Sequence, residues 1–195
     1  MRTKFFLAFA FAGATLASAP LKAQTSTWTI DTAHSNVNFQ VRHLAVSTVR
    51  GSIGGVKGTI VQDEKDITKS TINASADAAT VNTGTEARDK HLKSPDFFDV
   101  AKYPQLLFKS TAITGTPGKL KLVGDLTLAG VTKSVTLDID GPSAPQKTPK
   151  GVTISGFSAS GLISRKDFEF GTKSSASPTI GDEIKFTIDL EIDKQ

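Results

Sequence analysis

The clearest pattern in the chain is alternation with a period of two, the mark of strands that bury one face and wet the other. Towards the C-terminus Ile184, Phe186, Ile188, Leu190 and Ile192 share one parity, while Glu183, Lys185, Thr187, Asp189, Glu191 and Asp193 share the other. Val37, Phe39 and Val41 alternate in the same way with Asn36, Asn38, Gln40 and Arg42. Leu120, Leu122, Leu126 and Leu128 set against Lys119, Lys121, Asp125 and Thr127, and then Val135, Leu137 and Ile139, repeat the pattern. Weaker strands are expected near 51–63, 69–81, 104–114 and 151–165, making eight or nine in all. Both faces of 152–165 mix apolar and small residues, so its inward parity stays open. Turn signals at Gly115–Gly118, at Ala129-Gly130 and from Gly141 to Gly151 keep connections short, which makes neighbours antiparallel.

One helix is expected among the strands, over 84–93, opened by a capping box in Thr83-Gly84-Thr85-Glu86. A short turn follows at Ser94-Pro95, with Pro at its favoured first position. Beside it, Phe97 and Phe98 either plug the core under the helix or also wall a cavity.

Strands that are apolar on one side only can bury that side in a sandwich or in a closed barrel. A sandwich needs bulky inner faces that interdigitate, yet several faces here are small: Ala74, Ala76 and Ala78; Gly54, Gly55 and Gly58; Gly156, Ala159 and Gly161. Small walls leave space, and an eight-stranded antiparallel barrel is just wide enough to enclose one ligand. The competing reading takes these glycines as bulges and bends of a barrel filled by its own side chains.

Composition narrows the partners. Arg2 and Lys4 precede an uncharged run from Phe5 to Ala19, and Ala23 precedes Gln24, so residues 1–23 read as a secretory signal peptide. The run is short for a membrane span, and a cut after Ala19 would leave Pro20 first, which favours the cut after Ala23. Residues 24–195 then form one domain, exported to the periplasm or secreted, with no stable membrane insertion. Without Arg2, Lys4 and Lys22 the chain keeps 20 basic residues against 19 acidic ones, so the basicity that would suggest nucleic acid disappears. Cysteine is absent, which excludes disulfides, thiol nucleophiles and the anchor of a bacterial lipoprotein.

The remaining chemistry is sparse. His34, His43 and His91 lack a metal-ligand spacing, although Asp31, Asp89 or Asp96 lie near them in sequence, and no metal or other cofactor is expected. Gly156-Phe157-Ser158-Ala159-Ser160-Gly161 is out of register with a nucleophile elbow, so no enzyme is expected. Arg88-Asp89 reads equally as a solvated ion pair or as a contact for a phosphate, and Arg165 closes a strand just before Phe168 and Phe170.

Four blocks in order carry a resemblance: Trp28-Thr-Ile-Asp-Thr-Ala-His-Ser-Asn-Val-Asn-Phe-Gln-Val-Arg-His43; Arg88-Asp-Lys-His-Leu-Lys-Ser-Pro-Asp-Phe-Phe-Asp99 with Tyr103-Pro104; Leu126-Thr-Leu-Ala-Gly-Val-Thr-Lys133; and Arg165-Lys-Asp-Phe168. Together they resemble the YceI-like family across the whole exported chain. The resemblance implies a lipocalin-like extended β-barrel in the periplasm with a polyisoprenoid or similar long lipid along its axis. Polyprenyl phosphates, isoprenoid quinones and fatty-acid-derived amides are the associated ligands. One departure is visible: Glu169 and Phe170 stand before Gly171, where the family usually continues directly with Gly, and an altered loop at the mouth is the expectation.

The expected mechanism is passive burial of an apolar chain by Phe39, Val41, Phe108, Leu126, Leu128, Val135, Leu137, Phe157 and Phe186. Phe97, Phe98 and Phe168 add aromatic wall, and His43, Arg88 and Arg165 are expected to choose the head group at the mouth. A homodimer is compatible with the sequence. The rivals are a filled barrel acting as a stress-related interaction protein, and an enzyme with His34 or His43 beside a serine.

Overall fold

The computed structural model describes residues 24–195; the expected signal peptide, 1–23, lies outside them. The strands, in chain order, are β1 (Thr25–Ile30), β2 (Asn36–His43), β3 (Ser47–Ile53), β4 (Lys57–Asp63), β5 (Thr71–Asp77), β6 (Gln105–Thr116), β7 (Lys119–Leu128), β8 (Val131–Asp140), β9 (Gln146–Lys147), β10 (Thr153–Ser164) and β11 (Ile180–Lys194). Helix α1 (Glu86–Lys93) sits between β5 and β6.

All strands join one antiparallel sheet that closes through β10 and β11, paired from Ile154↔Asp193 to Ser164↔Glu183. The architecture is an eight-stranded closed barrel with extra strands and one helix. The count follows from two kinked pairs. β2 and β1 lie on successive parts of β11, through Asn36–His43 and Trp28–Ile30 respectively. β3 pairs with β2 and β4 with β1, so 25–43 and 47–63 each act as one broken strand. The first break is held by local bonds: the Asp31 carboxylate accepts the Ala33 N–H at 2.8 Å, and the Glu191 N–H donates to Ser35 Oγ at 3.1 Å. The second passes through Gly55 at φ +63°, a conformation that L side chains rarely adopt.

The helix begins two residues later than its capping box implies. Thr85 is the N-cap without a side-chain bond, and Thr83 instead donates its N–H and hydroxyl to the Asp89 carboxylate at 2.8 and 2.5 Å. None of the helix residues is buried, which fits its charged sequence. Ser94-Pro95 opens the expected short turn, closed by the Phe97 N–H on the Ser94 carbonyl at 3.0 Å.

The two ends of the barrel are filled differently. At the β1–β4 end Trp28, Ile30, Ile60, Ile72, Ile113, Leu120 and Ile192 are buried together, and the Trp28 indole N–H is satisfied by Ser26 Oγ at 2.8 Å. At the β2–β3 end the inward side chains stand apart around an open space.

Candidate functional site

That space is a cavity of about 660 Å³, within the usual range for sites that enclose a small molecule. Strand alternation builds its wall. Val37, Phe39 and Val41 come from β2, and Ile184, Phe186, Ile188 and Leu190 from β11. Leu122, Leu126 and Leu128 come from β7, Leu137 from β8, and Phe157, Ala159 and Ile163 from β10. The inward parity of β10 is therefore odd, and Leu162 faces out. Phe39, Phe108, Phe157 and Phe186 remain only half-buried, because one face of each looks onto the cavity.

The small residues serve different ends. Ala74, Ala76 and Ala159 line the space, as expected of a thinned wall. Gly54, Gly55, Gly58 and Gly156 do not; a Cβ on Gly58 would lie 2.2 Å from the Asn73 carbonyl oxygen, so that glycine serves strand contact. Three glycines seat phenylalanines instead. A Cβ on Gly51 would meet Phe39 Cζ at 2.4 Å, one on Gly124 would meet Phe108 Cζ at 2.4 Å, and one on Gly161 would meet Phe186 Cζ at 2.9 Å. Each ring lies against the neighbouring, hydrogen-bonded strand and so leaves the middle of the barrel clear.

Of the residues singled out from sequence, Phe39, Val41, His43, Arg88, Phe97, Phe98, Phe108, Leu126, Leu128, Leu137, Phe157, Arg165 and Phe186 reach the cavity wall. Val135 and Phe168 do not. Both are buried, and the 3₁₀ turn Arg165–Phe168 packs against β8, so they belong to the core outside the cavity. Phe97 and Phe98 do both things considered for them: they are buried, they line the cavity, and they meet Phe170 edge-on at 5.5 and 4.8 Å. Sequence reasoning missed Phe170, Leu106, Ile180 and Arg42 on the wall. It also omitted Val37, Ile184 and Ile188 from the site, although their parity already pointed inward.

Arg165 has a different part from the head-group contact expected of it. It is only 2 % exposed, and Nε donates to the Gly181 carbonyl at 3.1 Å. Nη1 donates to the Phe170 carbonyl and Ser177 Oγ, and Nη2 to the carbonyls of Ser177 and Ile180. With its donors committed to backbone it is a strap that holds the loop from Phe170 to Gly181 against the barrel.

The ionisable groups on the described wall are Arg42, His43, Arg88, His91 and Arg165; no carboxylate is among them. Arg88 gives Nε and Nη2 to Thr83 and Thr85, and His91 Nε2 lies 2.9 Å from the Asp96 carboxylate. His43 and Ser47 are cross-strand partners, both on the wall, with no hydrogen bond between them among the described residues. The geometry thus offers apolar burial with basic groups on the wall.

His34 lies elsewhere. Its Nδ1 is 2.7 Å from an Asp31 carboxylate oxygen and 3.7 Å from one of Glu191, the one cluster of three possible metal ligands among the described residues. The Asp31 hydrogen bond holds the His34 pKa above its ordinary value, and the same bond holds the Asp31 carboxyl below the usual carboxylate range.

A closed lipocalin-like barrel with a large apolar cavity at one end defines a class of binding protein. The chain belongs to the family of the YceI-like domain, whose pattern matches residues 28–192. Protein YceI of Escherichia coli O157:H7 is 40% identical over 139 residues, covering 71% of this chain and 72% of the relative. The Campylobacter jejuni YceI protein superposes with a TM-score of 0.69 at 33% identity, over 79% of this chain and 90% of that one. A polyisoprenoid binding domain from Saccharophagus degradans superposes with a TM-score of 0.63 over 86% and 98% of the two chains. At 15% identity that last likeness is one of fold.

Proposed function

We propose that this protein binds one long apolar lipid of the isoprenoid class inside the barrel and serves as its carrier or store in the periplasm. The observation that carries the reading is the cavity of about 660 Å³ whose large apolar side chains are held apart rather than interdigitated. A barrel filled by its own side chains would bury those rings completely. The likeness to a fold that binds polyisoprenoid in another protein supports the same reading. Each buried CH₂ contributes about 0.8 kcal/mol, so about ten of them outweigh much of the entropy lost on binding. The positive wall at the mouth favours a phosphate head group over a neutral quinone or a fatty-acid-derived amide. Function is retention without turnover.

The test is native mass spectrometry, with organic extraction, of the exported protein purified from its own envelope fraction without detergent. A stoichiometric isoprenoid or other long-chain lipid is the expected result. A bare protein mass, unchanged after incubation with polyprenyl phosphates and isoprenoid quinones, would remove the lipid reading.

A further inference from the structure

The turn joining β2 and β3 breaks two rules of folding at once. Leu44 and Ala45 sit at its centre with φ of 50° and 55°, closed by the Val46 N–H on the His43 carbonyl at 3.0 Å. Both central residues of the four-residue turn His43–Val46 take positive φ, which favours Asn or Gly rather than Leu-Ala. The same turn exposes apolar surface: Leu44 is 58% and Val46 81% exposed, the two most exposed of the large hydrophobic residues among those described. Neither property helps the fold, and a strained, exposed apolar tip points to use elsewhere.

Its position says what for. Arg42, His43 and Ser47, which flank the tip, line the cavity and are themselves exposed, so the mouth opens beside it. The Leu44 N–H donates to the Thr179 carbonyl at 2.8 Å, tying the tip to the segment that brings Ala176, Thr179 and Ile180 to the wall. Arg42 folds over the turn, giving Nη2 to the carbonyls of Ala45 and Val46. Among the described residues no carboxylate forms an ion pair with Arg42 or with Arg88 on the cavity wall.

We propose that this tip docks on an anionic lipid bilayer. Leu44 and Val46 enter the interfacial region while Arg42 and Arg88 face the head-group phosphates. The cavity mouth is thereby held against the surface from which a long lipid is taken or to which it is returned. The inference rests on the lipid-binding reading above, and each has its own measurement.

Docking is read by sedimentation with vesicles of phosphatidylethanolamine and phosphatidylglycerol, with phosphatidylcholine vesicles as the neutral comparison. Lipid binding is read separately, by loading with a polyprenyl phosphate supplied from detergent micelles. The protein is expected to sediment with the anionic vesicles, and Leu44→Ser/Val46→Ser to do so roughly tenfold more weakly while loading from micelles unchanged. Leu44→Asn/Ala45→Gly is expected to raise the urea midpoint while weakening vesicle binding, because it relieves the backbone and removes the side chain that enters the membrane. Equal vesicle binding by all three proteins, no sedimentation of the unaltered protein, or concentration-dependent dimers that Leu44→Ser/Val46→Ser abolishes would each overturn the docking tip. Failure to load from micelles would remove the lipid reading instead.

Discussion

At the scale of single residues, Arg165 shows how little a side chain's identity says about its use. An arginine before two aromatics at the end of a strand reads as a head-group contact, yet its partners are the backbone oxygens of Phe170, Ser177, Ile180 and Gly181, which no sequence pattern displays. Replacing it by lysine keeps the charge but not the planar fork of donors, so Arg165→Lys is expected to cost about 3 kcal/mol or more of stability, measured as a lower urea midpoint. Lipid head-group preference should be unchanged in whatever fraction stays folded. The inward phenylalanines of the strands are legible because parity alone places them; Val135 shares the inward parity of Leu137, and what parity does not display is the 3₁₀ turn Arg165–Phe168 packing against β8. The His34–Asp31 pair makes a pH prediction. His34 is raised, so its contribution is complete below the unfolded histidine value near about 6.5 and is lost as pH rises through the raised one. Asp31 is lowered, so its contribution is present above about 4 and is lost as pH falls through the lowered value. The destabilisation caused by Asp31→Asn should therefore be largest between about pH 4 and about 6.5, and the His34 ring should titrate lower in the variant by NMR. A difference independent of pH would remove this account.

At the scale of elements, strands with strict alternation, β11, β7 and β2, were readable almost to their ends. The sequence predicts one strand from 51 where the structure has β3 and β4, because Ser47 to Arg50 carries little apolar contrast and the break at 54–56 depends on a glycine conformation. Helix α1 ends where the sequence predicts, at Lys93, but starts two residues late and with Thr85 as its N-cap. Its start depends on Asp89, one turn inside, reaching back to Thr83, and on Arg88 holding the same threonine. With no buried residue to anchor it, the helix relies on this local knot more than on packing. Asp89→Ala is expected to cost about 1 kcal/mol, as a lost N-terminal cap does, and to appear as faster hydrogen exchange across α1 with barrel amides unaffected. Exchange that rises equally in β7 and β11 would mean that α1 is part of the cooperative core.

At the scale of the whole molecule, the division into a packed end and an open end separates stability from binding, and the separation is measurable. A ligand that binds only the folded barrel stabilises it by mass action, about 2.7 kcal/mol at one hundred times its dissociation constant, which for a domain of this size is roughly 5–10 °C in Tm. Extracted protein should therefore melt lower than protein reloaded with a polyprenyl phosphate. Trp28 belongs to the packed end and is 3% exposed, so Trp28→Ala should lower both melting points, by about 3–5 kcal/mol of stability, while leaving the gap between them intact. Leu126→Asp puts a carboxylate into the apolar cavity, where an incoming chain would strip it of water. That variant is expected to melt near the extracted protein whether or not lipid is added. If instead Leu126→Asp kept the full ligand-induced rise and Trp28→Ala lost it, the lipid would have to sit outside the cavity, and the open end of the barrel would need another purpose.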